Sequence, residues 1–496
     1  MPKPDYSKDI FNQLQELMLK CDNLSHEVKS IEKKTEKKFK KQIKEIKKEY
    51  EEQIENLENK VTKLEKENKK LEDDNDRLKK IINNNSNNSS KPPSSDIKKN
   101  IPNNREKTNK KRGGQKGHKA HFLNKKVIEE KINKGEIKHE IIHKGEIQKD
   151  YISKYILDVE VNVIAKEYRF YKDKAGNYNI PKEFQTDVQY GNEIKTLCTL
   201  LNTEGIVALN RLTNFVSYIS HGHLNISTGT IVNFSKEFNN KSKYIIDIIK
   251  NDILNSRLMH TDATTARCNN KNMCVRTHST QNSTLLVASE TKGKKHIEEI
   301  GILNAYTGDL VHDHETVMYN YGKRNIECNV HIMRYLKGNY ENTQNRWSLK
   351  MRAFLGSLNN YRKKLKEKGI KEIDKIKLEK YSKRYDELLE EGYRENKKIK
   401  GKYLKKQEEN LLNRLKKYKE NHIMFLYDFN VPFDNNLAER DLRHVKSKQK
   451  ISGHFNSFEG LEIYSNIKSI IGTLKKRKIN FYQTILEIYE NIPVII

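Results

Sequence analysis

Leucines recur every seven residues in the N-terminal part of the chain, in the series Leu57, Leu64, Leu71 and Leu78. A companion series, displaced by three residues, runs Ile54, Val61, Asn68, Asn75 and Ile82. This spacing is that of the d and a positions of a coiled coil, and it predicts a coiled coil over residues 26–82. Asparagine at two a positions favours a parallel, in-register dimer, because each amide is best satisfied by its twin. We therefore expect self-association, with a single charged helix or an intramolecular hairpin as the alternative.

The polar stretch over residues 83–117 has too few apolar side chains to form a core, so it predicts a disordered basic linker. Asn, Ser and Pro dominate its first half, and the second half carries the cations Lys110, Lys111, Arg112 and Lys116. A cationic arm of this kind follows the phosphates of DNA, which makes these four residues candidate DNA contacts. The equal alternative is a charge run that is simply solvated.

Alternation of apolar and polar residues predicts a small β-rich region over residues 118–190, with Tyr155–Ile164 as its clearest strand. Residues 191–257 change to a helical pattern. One helix is predicted at Arg211–Ser220, and a Ser/Thr-capped helix follows after a glycine-containing turn. This is the outline of a helix-turn-helix, so we interpret the region as helical and DNA-binding, with a plain packing pair as the alternative.

After residue 258 short strands give way to long, charged helices. Met273–Thr280 and Thr284–Glu290 have the pattern of two strands joined by a polar turn, and Leu310-Val311 starts another strand. The chain is therefore predicted to be multidomain α+β. The elements outside the regions above are an N-terminal segment at 1–25, the first part of a mixed-sheet domain at 258–338, a helical insertion at 339–422, and the completion of that domain with C-terminal helices at 423–496.

Three carboxylates have contexts that predict a shared metal site. Asp262 follows an apolar stretch, Asp313 ends a strand-like run 51 residues later (313 − 262), and Glu439 lies where a capped helix begins. A ribonuclease-H-like fold supplies such acids from its first strand, its fourth strand and a later helix. Two divalent cations about 3.5–4 Å apart then activate the attacking oxygen and stabilise the leaving oxygen of a phosphodiester. Mg²⁺, or Mn²⁺ in its place, suits this small set of carboxylates, so we predict that the three acids are catalytic metal ligands.

Other acidic residues compete for these roles, and their contexts decide against them. Asp309 opens the strand that Asp313 ends, and open sheets present ligands at the far end of a strand. Asp434 and Asp441 compete with Glu439. Asp434 precedes the periodic helical run, so it suits a helix N-cap.

The composition adds a partner to this picture. The chain has 496 residues with 96 Lys+Arg against 67 Asp+Glu, a formal net charge of +29. A chain this basic most often binds nucleic acid, although the Lys-, Asn- and Ile-rich bias of an AT-rich genome is the alternative. The predicted helix of Glu439 shows the same excess locally, and its candidate DNA contacts are Arg440, Arg443 and Lys446.

Several classes of protein are disfavoured. Five cysteines in so long a chain do not make a disulfide framework. No apolar stretch approaches the roughly 18–20 residues needed to cross a bilayer, and the N-terminus lacks the apolar core of a signal peptide. We therefore expect a cytoplasmic protein with no membrane partner.

Four motifs give the chain a family resemblance. They are Asn88-Ser89-Ser90-Lys91-Pro92-Pro93-Ser94-Ser95-Asp96, Arg112-Gly113-Gly114-Gln115-Lys116-Gly117-His118, Cys328-Asn329-Val330-His331-Ile332-Met333-Arg334, and Asp434-Asn435-Asn436-Leu437-Ala438-Glu439-Arg440-Asp441-Leu442-Arg443. In these motifs and their order the chain resembles the insertion-sequence-66 family of bacterial DDE transposases.

The resemblance implies a ribonuclease-H-like catalytic domain, Mg²⁺ dependence, and cleavage and joining of transposon ends to target DNA. It implies Asp262, Asp313 and Glu439 as the metal-binding triad, a nucleoid-associated location in a bacterium, and accessory transposition proteins as possible partners. His331 and Arg334 are then expected to contact the scissile phosphate or flanking DNA. A structural, hydrogen-bonded histidine is an equal alternative.

Two departures from the family pattern matter. Many members carry a Cys-rich, zinc-finger-like segment, but no Cys occurs here between Cys21 and Cys198, so we predict no zinc site. The loosely metal-like set of Cys268, Cys274 and His278 is expected to pack within strands. The second departure is Ala263-Thr264 after the first Asp, where Glu-Thr is expected. Two other functions stay open at this point, a non-catalytic DNA-binding protein or decayed transposase, and a ribonuclease-H-like nuclease without strand transfer.

Overall fold

A computed structural model describes residues 7–89, 96, 124–147, 149–184 and 186–496. Over these residues the chain forms sixteen α-helices and five β-strands. The helices are α1 (Ser7–Asn83), α2 (Lys125–Asn133), α3 (Asn192–Thr203), α4 (Leu209–Ile219), α5 (Thr228–Lys241), α6 (Lys243–Leu254), α7 (Lys294–Ile300), α8 (Ile302–Ala305), α9 (Asn329–Thr343), α10 (Arg346–Glu367), α11 (Lys375–Asn396), α12 (Lys402–Lys417), α13 (Lys419–Tyr427), α14 (Asn436–Ser452), α15 (Phe458–Lys476) and α16 (Phe481–Tyr489). The strands are β1 (Leu258–Cys268), β2 (Lys271–Ser279), β3 (Thr284–Ser289), β4 (Asp309–His312) and β5 (Arg324–Glu327).

The five strands form one mixed sheet in the order β3-β2-β1-β4-β5. The first three strands are an antiparallel meander, and β4 and β5 run parallel to β1. The described part of the chain is therefore mostly helical α+β, which confirms the predicted class. The strands predicted around Met273–Thr280, Thr284–Glu290 and Leu310-Val311 are present as β2, β3 and β4.

The register between β1 and β4 brings two of the predicted acids to the same place. Leu258 pairs with Asp309, and the pairs continue to His260 with Val311, an offset of 51 residues (309 − 258). With the same offset of 51 residues, Asp262 on β1 corresponds to Asp313, which is the first residue after β4. Because residues in register on neighbouring strands point to the same face, the two carboxylates share one face of the sheet.

Both faces of the sheet are buried by helices, as expected when parallel strands are joined by helical connections. Leu310 packs in a core with Ile467 and Ile470 of α15. Its neighbour Val311 faces the opposite side and packs in a core with Trp347 and Met351 of α10. The helical insertion thus closes one face and the C-terminal helices close the other.

The region predicted as an N-terminal segment and a coiled coil forms one continuous helix. Helix α1 has 77 residues and is about 115 Å long at 1.5 Å per residue. It begins at Ser7, well before the predicted start of the coiled coil. The heptad residues Ile54, Leu57, Leu64 and Leu71 are all exposed, so the chain carries a long apolar stripe on its surface.

Two regions differ from the sequence prediction. The strand expected at Tyr155–Ile164 does not form in the described residues; this segment is extended, and 90% of Ile156 is exposed. Alternation marks a residue pattern, but a strand also needs a neighbouring backbone to accept its hydrogen bonds. Residues 83–89 were expected to be disordered, yet they end α1 and form an ordered turn against α9.

Helices α3 to α6 occupy the region predicted to be helical. The capped helix is α5, where the Ser227 hydroxyl accepts a hydrogen bond from the Thr230 amide. Among the described helices, none combines the length and the apolar character needed to span a bilayer.

Candidate metal and catalytic site

The sheet and one helix bring the three predicted carboxylates together. Asp262 lies within β1, Asp313 directly follows β4, and Glu439 lies in the first turn of α14. Helix α14 packs across β1 and β2. The ligand atoms of Asp313 and Glu439 lie within 4.8 Å of each other, and Asp262, which is outside that group, has its pKa raised by burial and by both charges.

Asn435, the residue before α14, fixes the helix to the sheet. Its side-chain amide donates to the Thr261 carbonyl at 2.9 Å, and its oxygen lies 2.9 Å from Nδ1 of His260. Its backbone N–H donates to the sulfur of Cys328 at 3.3 Å. Asn435 is fully buried, so these bonds hold the start of α14, and with it Glu439 one helical turn further on, against β1. Sequence reasoning did not single out Asn435 or Cys328, although both lie in the motifs that carry the family resemblance.

The ligand atoms of Asp313, Cys328, His331 and Glu439 all lie within 4.8 Å of one another. Among the described residues, Asp313 Oδ1, His331 Nδ1 and Glu439 Oε1 are buried and have no hydrogen-bond partner. His331 Nδ1 is 3.5 Å from Asp313 Oδ1 and 4.0 Å from Glu439 Oε1, longer than a good hydrogen bond. Buried polar atoms without partners are rare, and two carboxylate oxygens facing one space fit a divalent cation.

Burial and mutual repulsion shape the ionisation of these acids. Burial, together with the charges of Asp313 and Glu439, raises the pKa of Asp262 from 3.8 to about 7. Burial acts in the same direction on Asp313, but the His331 imidazole and the Asn435 amide outweigh it and lower the pKa of Asp313. Because the carboxyl of Asp262 keeps a proton near neutral pH, the positively charged side chains among the described residues do not neutralise the negative charge of this pocket.

His331 has a defined tautomer in this arrangement. Nη1 of Arg334 lies 3.3 Å from Nε2 of His331, and a guanidinium can only donate, so Nε2 accepts. The proton of the neutral ring is therefore on Nδ1, the atom that faces Asp313 and Glu439. Burial opposes the charged form of His331, but Asp313 outweighs it and raises the pKa of the imidazole. His331 and Arg334 thus belong to the acid pocket, one turn apart on α9.

Cys328 has a structural role rather than that of a thiolate ligand. Its side chain is completely buried at the N-cap of α9, where it accepts the Asn435 amide bond. Burial, reinforced by the Asp313 charge, raises its pKa well above the ordinary value and keeps the thiol protonated. Cys268, Cys274 and His278 are buried within β1 and β2, away from the acid pocket.

The competing acids are engaged elsewhere. Asp309 forms a bidentate pair with Arg324, and Asp441 accepts from Lys476 at 2.7 Å and Ser279 at 2.6 Å. The prediction that Asp434 is the N-cap of α14 is wrong by one residue, because Asn435 occupies that position. Asp434 still accepts the Asn436 amide at 3.1 Å, since its carboxylate reaches past the N-cap to the first turn.

The candidate DNA contacts fall into three groups. Arg440 and Arg443 are exposed on α14 beside Glu439. Lys446 on the same helix donates to the Thr265 carbonyl and, at 3.0 Å, to the Thr265 hydroxyl, so it is held against β1. Lys110, Lys111, Arg112 and Lys116 lie outside the described residues.

A second buried acid, Glu327, ends β5 and is fully paired. His422 Nε2 lies 2.7 Å from its Oε2, while Arg414 and Tyr319 donate to its Oε1. His314 Nε2 is 3.4 Å from Oε2. Burial opposes its ionisation, yet these partners lower the pKa of Glu327 well below the ordinary value. Because Arg414 and His422 come from α12 and α13, this network fastens the helical insertion to the sheet.

Comparisons with known proteins agree with this arrangement. The model of a family described as Transposase IS66 family matches residues 188–463, more than half of the chain. A family of unknown function, DUF6444, matches residues 40–124. A comparison with curated proteins gave no match. The first match spans the sheet, the helical insertion and all three carboxylates.

Proposed function

The chain belongs to the IS66 family of transposases, and from this membership we propose that it cuts the ends of its DNA element and joins them to target DNA by metal-dependent phosphoryl transfer. Hydrolysis at an element end leaves a 3′-hydroxyl. That hydroxyl then attacks a target phosphodiester and displaces a target 3′-hydroxyl, so each step exchanges one P–O bond for another. The transposase role follows from membership of the family, and we propose the metal-dependent phosphoryl transfer.

One observation carries this proposal. Asp313 and Glu439 each direct a buried oxygen without a hydrogen-bond partner among the described residues into one pocket, and burial together with their charges raises the pKa of the half-buried Asp262 carboxyl. Without a positive charge such a cluster is repulsive, so its retention in a folded core favours a cation-binding role. Oxygen donors of this kind fit Mg²⁺, and Mn²⁺ binds the same ligands.

Asp262, Asp313 and Glu439 would hold the cations. When bound, divalent cations activate the attacking oxygen and stabilise the leaving oxygen of the phosphodiester. His331 Nδ1, which carries the ring proton, lies 3.5 Å from Asp313 and 4.0 Å from Glu439 and so lowers the repulsion between the two carboxylates, while Arg334 fixes this tautomer. Arg440 and Arg443 are exposed on the helix of Glu439, where they would bind the phosphates on either side of the cut.

The topology supports a ribonuclease-H-like catalytic domain. Its sheet is a three-stranded antiparallel meander followed by two strands parallel to the first, in the order β3-β2-β1-β4-β5. The carboxylates come from β1, from the end of β4 and from a later helix, the distribution that this fold requires. The intact triad disfavours a decayed, non-catalytic copy.

The exposed heptad stripe of α1 supports self-association as a parallel coiled coil. Glu51, Glu58, Glu65 and Glu72 follow the d positions of the heptads. An antiparallel pair would bring these glutamates together, whereas a parallel pair also matches Asn68 with Asn68 and Asn75 with Asn75. DNA ends, target DNA and a second copy of the chain are thus the proposed partners.

The test uses the full-length protein, duplex DNA carrying an element end, supercoiled target DNA and Mg²⁺. The expected products are a 3′ nick at the element end and a joined element–target strand. Asp313→Asn should lower both by at least about 10³-fold, because several kcal/mol of charge stabilisation depend on the metal site. Unchanged processing by Asp313→Asn would reject the assignment.

Asp434→Asn is the matched control. It makes the same chemical change in the loop before α14 and retains an oxygen to accept the Asn436 amide. Its activity should stay within about threefold of the wild type, the effect of a minor perturbation. Nicking without any joined product would indicate a nuclease, and DNA binding without cleavage at any Mg²⁺ concentration would indicate a non-catalytic protein.

A further inference from the structure

The last turns of α1 contact the rest of the chain through the face opposite to the heptad stripe. Leu71 and Leu78 of the stripe are exposed, whereas Asp73, Asp76 and Lys80 are half-buried against α12. At about 100° per residue, these three side chains lie between about 120° and 180° around the helix from the centre of the stripe. We call them the outer face of α1. One helix therefore has two separate surfaces, and over the described residues its last turns contact the rest of the chain through the outer face.

The outer face completes the N-terminus of α12. The N-cap of α12 is Gly401, which has no side chain to accept the free amides. Asp73 accepts the Lys402 amide at 2.8 Å, and the Asp76 carboxylate lies against Gly401. Two carboxylates from α1 thus supply both the missing cap and the negative charge that a helix N-terminus favours.

Lys80 adds a third contact of a different kind. Its Nζ donates to Oε1 of Gln407 at 2.7 Å, one turn further along α12. The same ammonium lies 5.4 Å from the centre of the Tyr403 ring, within the range of a cation–π interaction. The outer face is therefore held over the first two turns of α12.

The asparagine-rich turn after α1 extends the contact to α9. Asn88 is 3% exposed; its side-chain amide donates to the Asn83 carbonyl at 2.9 Å and to Glu341 of α9. Its side-chain oxygen accepts the Asn85 amide at 2.7 Å, which closes the turn. The Asn88 carbonyl lies so close to Gly338 of α9 that a Cβ atom there would overlap it. We call the outer face together with Asn85–Asn88 the clip.

We propose that the clip is a rigid joint that fixes the catalytic centre of each chain to the outside of its own α1, while the heptad stripe pairs with a second copy. The stripe fits a second copy because its Asn68 and Asn75 are satisfied by their twins. The joint ends on α9, the helix that carries His331 two turns before Gly338. This role of the joint rests on the proposed function and extends it. The two catalytic centres of a dimer would be held at a fixed distance and orientation, so that two element ends are joined in concert.

The test compares two glycine-to-alanine changes inside helices. Gly338→Ala places a methyl group on the Asn88 carbonyl and should open the clip, while alanine itself favours the helix. Gly356→Ala, in α10, meets only the end of the Met333 side chain at 3.6 Å and is the matched control. Leu64→Lys with Leu71→Lys breaks the stripe and leaves the clip untouched.

Gly338→Ala should speed hydrogen exchange of the Asn85–Asn88 amides about tenfold or more, while light scattering still reports a dimer. Nicking of single ends should stay within about twofold, and joined products from paired ends should fall about tenfold, because the two centres are then only loosely tethered. The double lysine variant should be monomeric, with protected Asn85–Asn88 amides.

Exchange and joining equal to those of Gly356→Ala would overturn the proposal, and so would faster exchange with unchanged joining. The exchange and mass measurements need no DNA. If wild-type protein failed to nick DNA at all, the proposed function would fail, whereas the joint itself would still be tested by those two measurements.

Discussion

Two buried acid clusters lie on neighbouring strands and differ in how their charge is balanced. Glu327, at the end of β5, accepts from Tyr319 and Arg414 on one oxygen and contacts His422 and His314 through the other. Asp313, just past the end of β4, belongs to a cluster of three carboxylates in which two buried oxygens have no partner among the described residues. Both clusters belong to the same sheet, but the charge of Glu327 is compensated by its neighbours and the charge of the triad is not.

The difference separates a structural acid from a functional one. Burying a charge is unfavourable unless hydrogen bonds and opposite charges compensate for it, and the Glu327 network supplies both. The triad is left with compensation from His331 and Asn435 only in part, as the raised pKa of Asp262 indicates. Keeping acids together without balancing their charge lowers stability, which is the expected cost of the proposed cation site.

The largest effect is expected at the paired acid. Glu327→Gln removes the negative charge that Arg414 and His422 face, so the free energy of unfolding should fall by about 3–5 kcal/mol. Chemical denaturation followed by circular dichroism measures it. The exposed pair of Glu387 with Arg384, 3.0 Å apart, gives the control, because Glu387→Gln should change stability by no more than about 0.5 kcal/mol. Equal effects of the two changes would mean that burial and pairing do not determine how much Glu327 contributes to the free energy of unfolding.

Lowering the pH should destabilise the protein through the hydrogen-bond network of Glu327. The pKa of Glu327 is lowered in the folded state, so its contribution is complete above the ordinary carboxyl value of 4.5 and is lost as the pH falls through the folded value. Burial lowers the pKa of His422 below 6.5, despite Glu327, so the unfolded chain takes up more protons there as well. Stability should therefore fall from about pH 6.5 downward, with a shallower slope below pH 4.5 in Glu327→Gln, as denaturation curves between pH 3.5 and 7 would record. A parallel slope in both proteins would contradict the assignment.

The unbalanced acids should respond with the opposite sign. In metal-free buffer, Asp262→Asn should raise the free energy of unfolding by about 1–2 kcal/mol, because it removes a carboxyl from a repulsive, buried cluster. Glu439→Gln should act in the same direction. Denaturation in the presence of a chelator measures both, and a loss of stability like that of Glu327→Gln would show that the triad is already balanced.

The smallest effect is expected from the cation itself. Mg²⁺ at about ten times its dissociation constant should stabilise the wild type by about 1.4 kcal/mol, since it binds the folded state alone. Thermal unfolding with and without Mg²⁺ should show this increase, and Asp313→Asn should lose it. An equal shift in the variant would assign the effect to ions bound elsewhere.

The sequence was sufficient to propose the triad but not to identify the residues that support it. Glu439 follows from a compact motif and Asp313 from the end of a strand, whereas Asp262 is proposed from the apolar stretch before it and lies within β1. Asn435 and Cys328 belong to the same motifs, yet their roles depend on a contact between segments 107 residues apart (435 − 328), which no local pattern encodes. The Glu327 network has the same origin, since its partners come from three separate elements.

The missing strand and the unexpected turn have physical reasons too. Tyr155–Ile164 has the alternation of a strand, but no described segment supplies a partner backbone. The Asn- and Ser-rich stretch after α1 was expected to be disordered because it is polar. Residues 85–88 are instead held by their own amide side chains and by Glu341, a contact that composition does not report.

Mn²⁺ binding to the metal-free protein tests the central claim most directly. Calorimetry on the full-length chain without DNA should show at least one Mn²⁺ bound per wild-type chain. Asp434→Asn should bind with the same stoichiometry, and Asp313→Asn should lose the site. Equal binding by Asp313→Asn and the wild type would contradict the assignment of Asp262, Asp313 and Glu439 as the cation site.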